Sequence, residues 1–205
     1  MAPIKHVWFD FSDTIGKINR DIYNEILYTS YAKAVGKEVN EQLKAEYTEA
    51  FQKLKSNSMV FTSLGLPASY LADCISVVAP NDLYTLTDPN IPAVIQHLKA
   101  MVPVSIFSNN KLDVILPALG IDTHCFTYRL GPDDVKNPKP ALDGFKKMVE
   151  LSQVQPKEIL YVGDDVHKDL LPAKQVGIST GLLWEQSDEA NYCFKDFQAI
   201  SDLFS

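Results

Sequence analysis

Polar side chains that can do chemistry follow three apolar runs of this chain. Asp10 closes "HVWFD", Ser108 and Asn109 close "VSIFSN", and Asp164 and Asp165 close "ILYVGDD", with Asp169 a helical turn later. Lys139, in "KNPKPALDGF", lies between the second run and the third. Each residue taken singly is an ordinary helix cap, turn residue or solvated charge. Taken together they pose an electrostatic problem, because gathered carboxylates repel and burying each unpaired charge costs several kcal/mol or raises its pKa. A divalent cation resolves it. Mg²⁺ takes one or two protein carboxylates and a carbonyl oxygen, then completes its shell with water and substrate phosphate. A serine hydroxyl, nearby amides and a lysine ammonium suit the remaining phosphate oxygens. This is the chemistry of phosphoryl transfer to an aspartate.

Such a site needs elements that deliver these residues to one edge. Short apolar runs, several β-branched, predict strands at "IKHVWF" (4–9), "VPVSIF" (102–107), "EILYVG" (158–163) and "ISTGLLW" (178–184), with a weaker one near "HCFTYRL". Helical patterns alternate with them: "PAVIQHLKAM", "LDVILPALG", "ALDGFKKMVELS" and "HKDLLPAKQVG", with a closing helix at "DFQAISDLF". Alternation of this kind predicts βαβ units, hence an α/β fold with a Rossmann-like parallel sheet covered by helices, and ligands beyond the carboxyl ends of its strands. Residues 18–88 break the pattern. "NRDIYNEILYTSYAKAVG", "NEQLKAEYTEAFQKLKS" and "PASYLADCISVVA" read as helices with no strand between them, so a small helical domain (18–88) is expected inside a core of 1–17 and 89–205.

Composition narrows the partners. With 205 residues, 46% of them hydrophobic, the chain can bury one good core plus a small accessory unit. Its 26 acidic and 19 basic residues give a formal charge of −7, which disfavours nucleic acid and anionic membranes but not a small anion held by a local patch. The three cysteines, Cys74, Cys125 and Cys193, form no CxxC pair, so neither a disulfide framework nor structural zinc is expected. No apolar run approaches the roughly 18 residues of a membrane span, and the first residues lack a signal-peptide pattern. The expected setting is the cytoplasm, and an exposed apolar face on the helical unit would allow two copies to pair.

Four segments, in order, resemble the motifs of the haloacid dehalogenase-like superfamily. "VWFDFSDT" resembles the first, whose usual form is DxDxT, and "VSIFSNN" the second. "KPALDGF" resembles the lysine motif and selects Lys139 over Lys136, and "VGDDVHKDLLPAKQVG" resembles the acidic fourth. The insertion after the first motif is similar to the family's helical cap, which closes over the site and selects substrate. The resemblance implies that Asp10 is the nucleophile and that Ser108 and Asn109 bind the transferring group. Lys139 would neutralise Asp10 and the phosphoryl charge. It also implies a Mg²⁺ site made by Asp10, the backbone carbonyl of Ser12 and Asp164, with Asp169 or Asp165 in support.

Ser12 departs from the pattern. Family phosphatases place there an aspartate that protonates the leaving group and then activates water, a role worth about 10² to 10⁴ in rate. Three explanations compete. The leaving group needs no proton, as with an acyl phosphate, a phosphoanhydride or a halide; Asp13 supplies the acid from the neighbouring position; or the chain binds a phosphorylated ligand or a protein with little or no turnover. Dehalogenase relatives also lack the second aspartate, but they usually lose the GD pattern that "VGDD" keeps. A phosphonate-cleaving relative would need a cap lysine, and Lys33, Lys37, Lys44, Lys53 and Lys55 offer no distinguished candidate. Lys17, Asn19 and Arg20 are candidate substrate contacts only because they follow the first motif closely. The expectation is a Mg²⁺-dependent hydrolase of a small phosphorylated metabolite, with a phospholigand-binding protein or a 2-haloacid dehalogenase as alternatives.

Overall fold

The four apolar runs become the centre of one sheet. A computed structural model of the chain describes residues 3–204. In chain order the elements are β1 (His6–Phe9), β2 (Gly16–Ile18), α1 (Arg20–Val35), α2 (Glu41–Leu54), α3 (Asn57–Ser63), α4 (Tyr70–Ile75), α5 (Pro80–Leu83) and β3 (Tyr84–Leu86). They continue with α6 (Ile91–Met101), β4 (Val104–Phe107), α7 (Leu112–Ala118), β5 (Arg129–Leu130), α8 (Asp143–Ser152) and β6 (Ile159–Gly163). The chain closes with α9 (Leu171–Gln175), β7 (Ser179–Leu183), β8 (Tyr192–Phe194) and α10 (Phe197–Asp202).

Six strands form a parallel sheet in the order β5-β4-β1-β6-β7-β8. β1 is central and buried on both faces, which is why its sequence reads as a continuous apolar run. Side chains alternate across it. Val7 and Phe9 join a core with Val94, Ile95 and Leu98 of α6 and with Phe197 and Ile200 of α10. Trp8 joins a second core on the other face, with Phe107, Tyr161, and Phe145 and Met148 of α8. Burying side chains of this size stabilises the fold by about 1.5–3 kcal/mol each. Phe9 pairs in register with Ile106 and with Val162, so Asp10, Ser108 and Asp164 leave their strands at the same edge.

One polar pair interrupts the second core. His6, on the same face as Trp8, stands 2.8 Å from Ser105 Oγ through its Nε2. Ser105 Oγ also accepts from the Tyr128 N–H at 3.0 Å. The Ser105 hydroxyl proton is therefore available to a neutral His6, whose burial lowers its pKa from 6.5 to about 4.

The sheet differs from the expectation in three places. Residues 18–88 are not helical throughout: β3 lies within them and pairs antiparallel with β2, Ile18 opposite Tyr84 and Gly16 opposite Leu86. This ribbon brings both ends of the α1–α5 stretch to one place. β8 was not anticipated, because a three-residue strand bounded by polar residues carries no periodic signal and forms by pairing with β7. The helix expected over "HKDLLPAKQVG" opens with a π-turn at Val166–Leu170, where the Leu170 N–H reaches back to Asp165 O at 3.3 Å before α9 begins. Pro172 lacks the N–H that a regular helix would give to the Lys168 carbonyl, which favours the wider turn. Among the described residues no helix is long and apolar enough to cross a membrane.

Candidate active site

Strand alternation that puts Trp8 on the second core's face also turns Asp10 that way, one residue beyond the last pairing of β1. There it meets Lys139. The Lys139 ammonium, fully enclosed at 1% exposure, donates to Asp10 Oδ1 at 2.5 Å, to Asp169 Oδ1 at 2.8 Å and to Tyr161 Oη at 2.7 Å. It also lies 3.3 Å from Phe107 O and stands over the Phe107 and Tyr161 rings. Tyr161 donates its own proton to Asp169 Oδ1 at 3.0 Å. Burial alone would raise the Asp10 carboxyl, but the charges of Lys139 and Lys168 and the hydrogen bonds from Lys139 and the Phe11 N–H bring its pKa below the ordinary value. Asp10 is thus held as an anion inside the protein.

A second cation stands on the other side of the carboxylates. The Lys168 ammonium is 3.6 Å from Asp10 Oδ2, 3.7 Å from Asp169 Oδ2 and 4.0 Å from Asp164 Oδ1. Burial disfavours its charge, but Asp169, Asp10, Asp164 and Asp165 outweigh that and hold its pKa well above the usual lysine value. Asp164 behaves oppositely: burial, aided by Asp10, Asp169 and Asp13, outweighs Lys168 and pushes it up to about 7. Thr14 donates to Asp164 Oδ1 at 3.1 Å. Gly163 is required here, since a Cβ on it would lie 2.8 Å from the Asp169 Cβ.

The carboxylates suit a hard cation. Ligand oxygens of Asp10, Asp164 and Asp169 lie within 4.8 Å of one another, and Asp10 Oδ2 and Asp169 Oδ2 are buried with no hydrogen-bond partner among the described residues. Three oxygen donors, two of them short of partners, fit Mg²⁺.

The remaining sequence candidates divide. Ser12 lines the cavity, and its Oγ accepts from the Asn110 side chain at 2.8 Å. Ser108 is buried, its Oγ accepting from the Asn110 N–H at 3.1 Å. Asn109 turns its polar ends to the lysine loop: Oδ1 accepts from the Lys139 N–H at 2.9 Å and Nδ2 donates to Lys139 O at 3.2 Å. Asp165 caps the π-turn by accepting from the His167 and Lys168 N–H groups, both at 2.8 Å. Asp13, in the left-handed region at φ 59°, accepts from the Ile18 N–H and is paired with Arg20, so both its oxygens are engaged. Lys17 is exposed and Asn19 caps α1, while Arg20 lines the cavity. Lys33, Lys37 and Lys53 are exposed, Lys44 is paired with Glu41, Lys136 is exposed, and only Lys55 of the insertion's lysines borders the cavity.

That cavity, about 220 Å³, lies between the strand ends and the helical stretch, which contributes Tyr23, Phe51, Ser56, Asn57 and Leu71. Ser56 Oγ donates to Lys139 O at 2.7 Å, and Asn57 is fixed between Tyr47 and Tyr23. Sequence reasoning did not single out Tyr161, Asn110, Lys168 or Ser56. Tyr161 carried a readable signal, a hydroxyl in an otherwise aliphatic buried strand that must find a partner. The others depend on contacts across the fold, such as the one between Ser56 and Lys139, and had none.

Comparisons with known proteins agree on one family. A family model described as a haloacid dehalogenase-like hydrolase matches residues 4–177. Among curated proteins none matches this sequence. The chain is similar in structure to a HAD phosphatase from Thermococcus onnurineus, at 18% identity and TM-score 0.68, covering 98% of this chain and 97% of that one. It is similar to a 2-haloacid dehalogenase from Pseudomonas syringae pv. Tomato DC3000, at 16% identity and TM-score 0.66, with the same coverage. A third similar structure is YfnB from Bacillus subtilis, described as a HAD-hydrolase bound to magnesium, at 16% identity and TM-score 0.64 over 100% of both chains. At these identities the structures speak for the fold, and the family model spans most of the chain: it belongs to the haloacid dehalogenase-like hydrolase family.

Proposed function

We propose that the protein is a Mg²⁺-dependent phosphoryl hydrolase of a small phosphorylated metabolite, with Asp10 as nucleophile. The observation that carries this reading is a buried aspartate, 1% exposed, held ionised by Lys139 beside a polar cavity and keeping one oxygen without a hydrogen-bond partner. Asp10, the Ser12 carbonyl and Asp164, with Asp169, would hold Mg²⁺, which when bound supplies positive charge against the phosphoryl oxygens. Lys139 keeps Asp10 ionised and fixes its carboxylate. An Asp10 oxygen attacks phosphorus, the bond to the leaving oxygen breaks with its electron pair on that oxygen, and the product is an aspartyl phosphate. Water then attacks phosphorus, the bond to the Asp10 oxygen breaks with its electron pair on the carboxylate, and the water protons leave on inorganic phosphate. The α1–α5 stretch acts as the cap, and Ser56 and Tyr23 line its inner side.

Ser12 narrows the leaving group. Its hydroxyl, bonded to Asn110, is no acid at neutral pH, and Asp13 is engaged by Arg20 and the Ile18 N–H. The substrate is therefore one whose leaving oxygen departs without a proton, such as an acyl phosphate. The same serine favours a second reading, a 2-haloacid dehalogenase, whereas the three converging carboxylates weigh against it. Phosphate esters, acetyl phosphate, phosphonates and 2-haloacids, each assayed with Mg²⁺ and with EDTA, separate the readings. The expected result is acetyl phosphate hydrolysis that requires Mg²⁺ and vanishes in Asp10→Asn. Dehalogenation surviving EDTA would replace the reading, and so would unchanged hydrolysis in Asp10→Asn. A gain of ester hydrolysis in Ser12→Asp would identify the serine as the limiting element.

A further inference from the structure

We infer that Lys168 is a tethered counter-cation of the metal site: its ammonium holds the carboxylate trio together without metal, and a divalent ion must displace it to bind. The inference rests on the metal reading of Asp10, Asp164 and Asp169 given above. Lys168 Nζ stands 3.6 to 4.0 Å from an oxygen of each, close enough for strong attraction yet outside hydrogen-bond range of all three. Two of those oxygens, Asp10 Oδ2 and Asp169 Oδ2, are the ones left without a hydrogen-bond partner. Lys139 does not serve them, because its three strongest donations go to Asp10 Oδ1, Asp169 Oδ1 and Tyr161. The space nearest the unserved oxygens is therefore contested by two cations, a metal ion and this ammonium.

The two cannot share it comfortably. Three ionised carboxylates facing two ammoniums leave one negative charge; a divalent ion added to that set would leave one positive charge and place Lys168 against a like charge at short range. Lys168 also has a way out. Its side chain is 20% exposed and borders the cavity, whereas Lys139 is enclosed. The π-turn fixes its backbone, with the Asp165 carboxylate accepting from the Lys168 N–H at 2.8 Å, so the long stem can move while the turn stays in place. Lys168 thus sets how much free metal the protein needs.

The test titrates Mg²⁺ by calorimetry and Mn²⁺ by electron paramagnetic resonance into the intact wild-type protein, Lys168→Met, Lys168→Arg and Asp164→Asn. Lys168→Met is expected to bind both ions at least about tenfold more tightly than wild type, because a like charge has been removed from the site. Lys168→Arg should stay within about threefold of wild type, since it keeps the charge. Thermal melts give a second readout: metal-free Lys168→Met melts below wild type, and saturating Mg²⁺ returns it to or above the wild-type value. Should Lys168→Met fold only with metal present, its unfolding by EDTA, under conditions wild type survives, supports the inference equally. Equal or weaker metal binding by Lys168→Met overturns the role of Lys168 and leaves Asp10 as nucleophile untouched. Absence of binding in wild type and Lys168→Met alike overturns both the metal reading and this inference, and Asp164→Asn identifies the site by losing affinity.

Discussion

One face of β1 begins with buried His6 and is continued, one residue past the strand, by buried Asp10, and the two ends solve the same problem differently. His6 is uncharged and matched: Ser105 bridges it to the Tyr128 backbone. Asp10, four residues later, is charged and only half matched, with Lys139 on one oxygen and, among the described residues, no hydrogen-bond partner on the other. Trp8 lies between them on the same face, stacked 5.4 Å from the His6 ring. Both are almost fully buried, His6 at 3% and Asp10 at 1% exposure, so burial does not distinguish a matched polar group from a half-matched one. The distinction is the shortfall of partners: a satisfied pair stabilises the fold, while an unsatisfied charge leaves room for a ligand.

The contrast can be broken most severely at the charged end. Lys139→Met leaves Asp10 and Asp169 facing one another with their main counter-charge gone, and removing one partner of a buried ion pair costs about 3–5 kcal/mol. Urea unfolding of the metal-free protein at pH 7 measures it, and a loss comparable to that at an exposed ion pair would refute the contrast. The neutral end is sharpened by pH. A folded-state His6 pKa of about 4 against 6.5 unfolded means the unfolded chain binds the extra proton first, so stability is intact above about pH 6.5 and is lost as pH falls towards 4. Fully developed, that loss is about 3 kcal/mol. Asp164, raised to about 7 without metal, works with opposite sign, since the folded state then binds more protons between its ordinary value and 7 and gains stability as pH falls. The difference between wild type and His6→Gln cancels the Asp164 contribution, and parallel stability profiles for the two proteins would dismiss the His6 effect. The smallest expected change is Ser105→Ala, about 1–3 kcal/mol in thermal or urea unfolding at pH 7, because both the Tyr128 N–H and His6 lose their partner.

Much of this was legible in the residues. The four central strands carry long apolar runs, and parallel strands buried on both faces must read that way, so their positions and the edge that gathers Asp10, Ser108 and Asp164 followed from pattern. Lys139 was legible through the resemblance of "KPALDGF" to the family's lysine motif, which implied its place beside Asp10. Asn109, expected to contact phosphate, lines the cavity with its side-chain amide hydrogen-bonded to the Lys139 backbone, and its neighbour Asn110 reaches Ser12. Two adjacent asparagines have identical chemistry and both line the cavity, and only the turn after β4 decides which side chain reaches Ser12 and which the Lys139 backbone. Lys168 was hidden for a related reason. On a regular helix it is one more solvated charge, and the wide turn after Asp165 is what aims it at the carboxylates. Ser56 and Lys139 lie 83 residues apart, a pairing that local pattern cannot express.

The ribbon of β2 and β3 has a consequence for how this chain can change. Because the strands entering and leaving the α1–α5 stretch are hydrogen-bonded neighbours, everything between them begins and ends at a single doorway. Helices there can be lengthened, shortened or exchanged for another set without altering the distance the sheet must span, and so without moving Asp10 relative to Asp164. Heredity and design can therefore rewrite the helical wall of the cavity while the strand edge that carries Asp10 and Asp164 keeps its dimensions. Ile18 and Tyr84 mark the natural seam along which to exchange one set of cavity-lining helices for another.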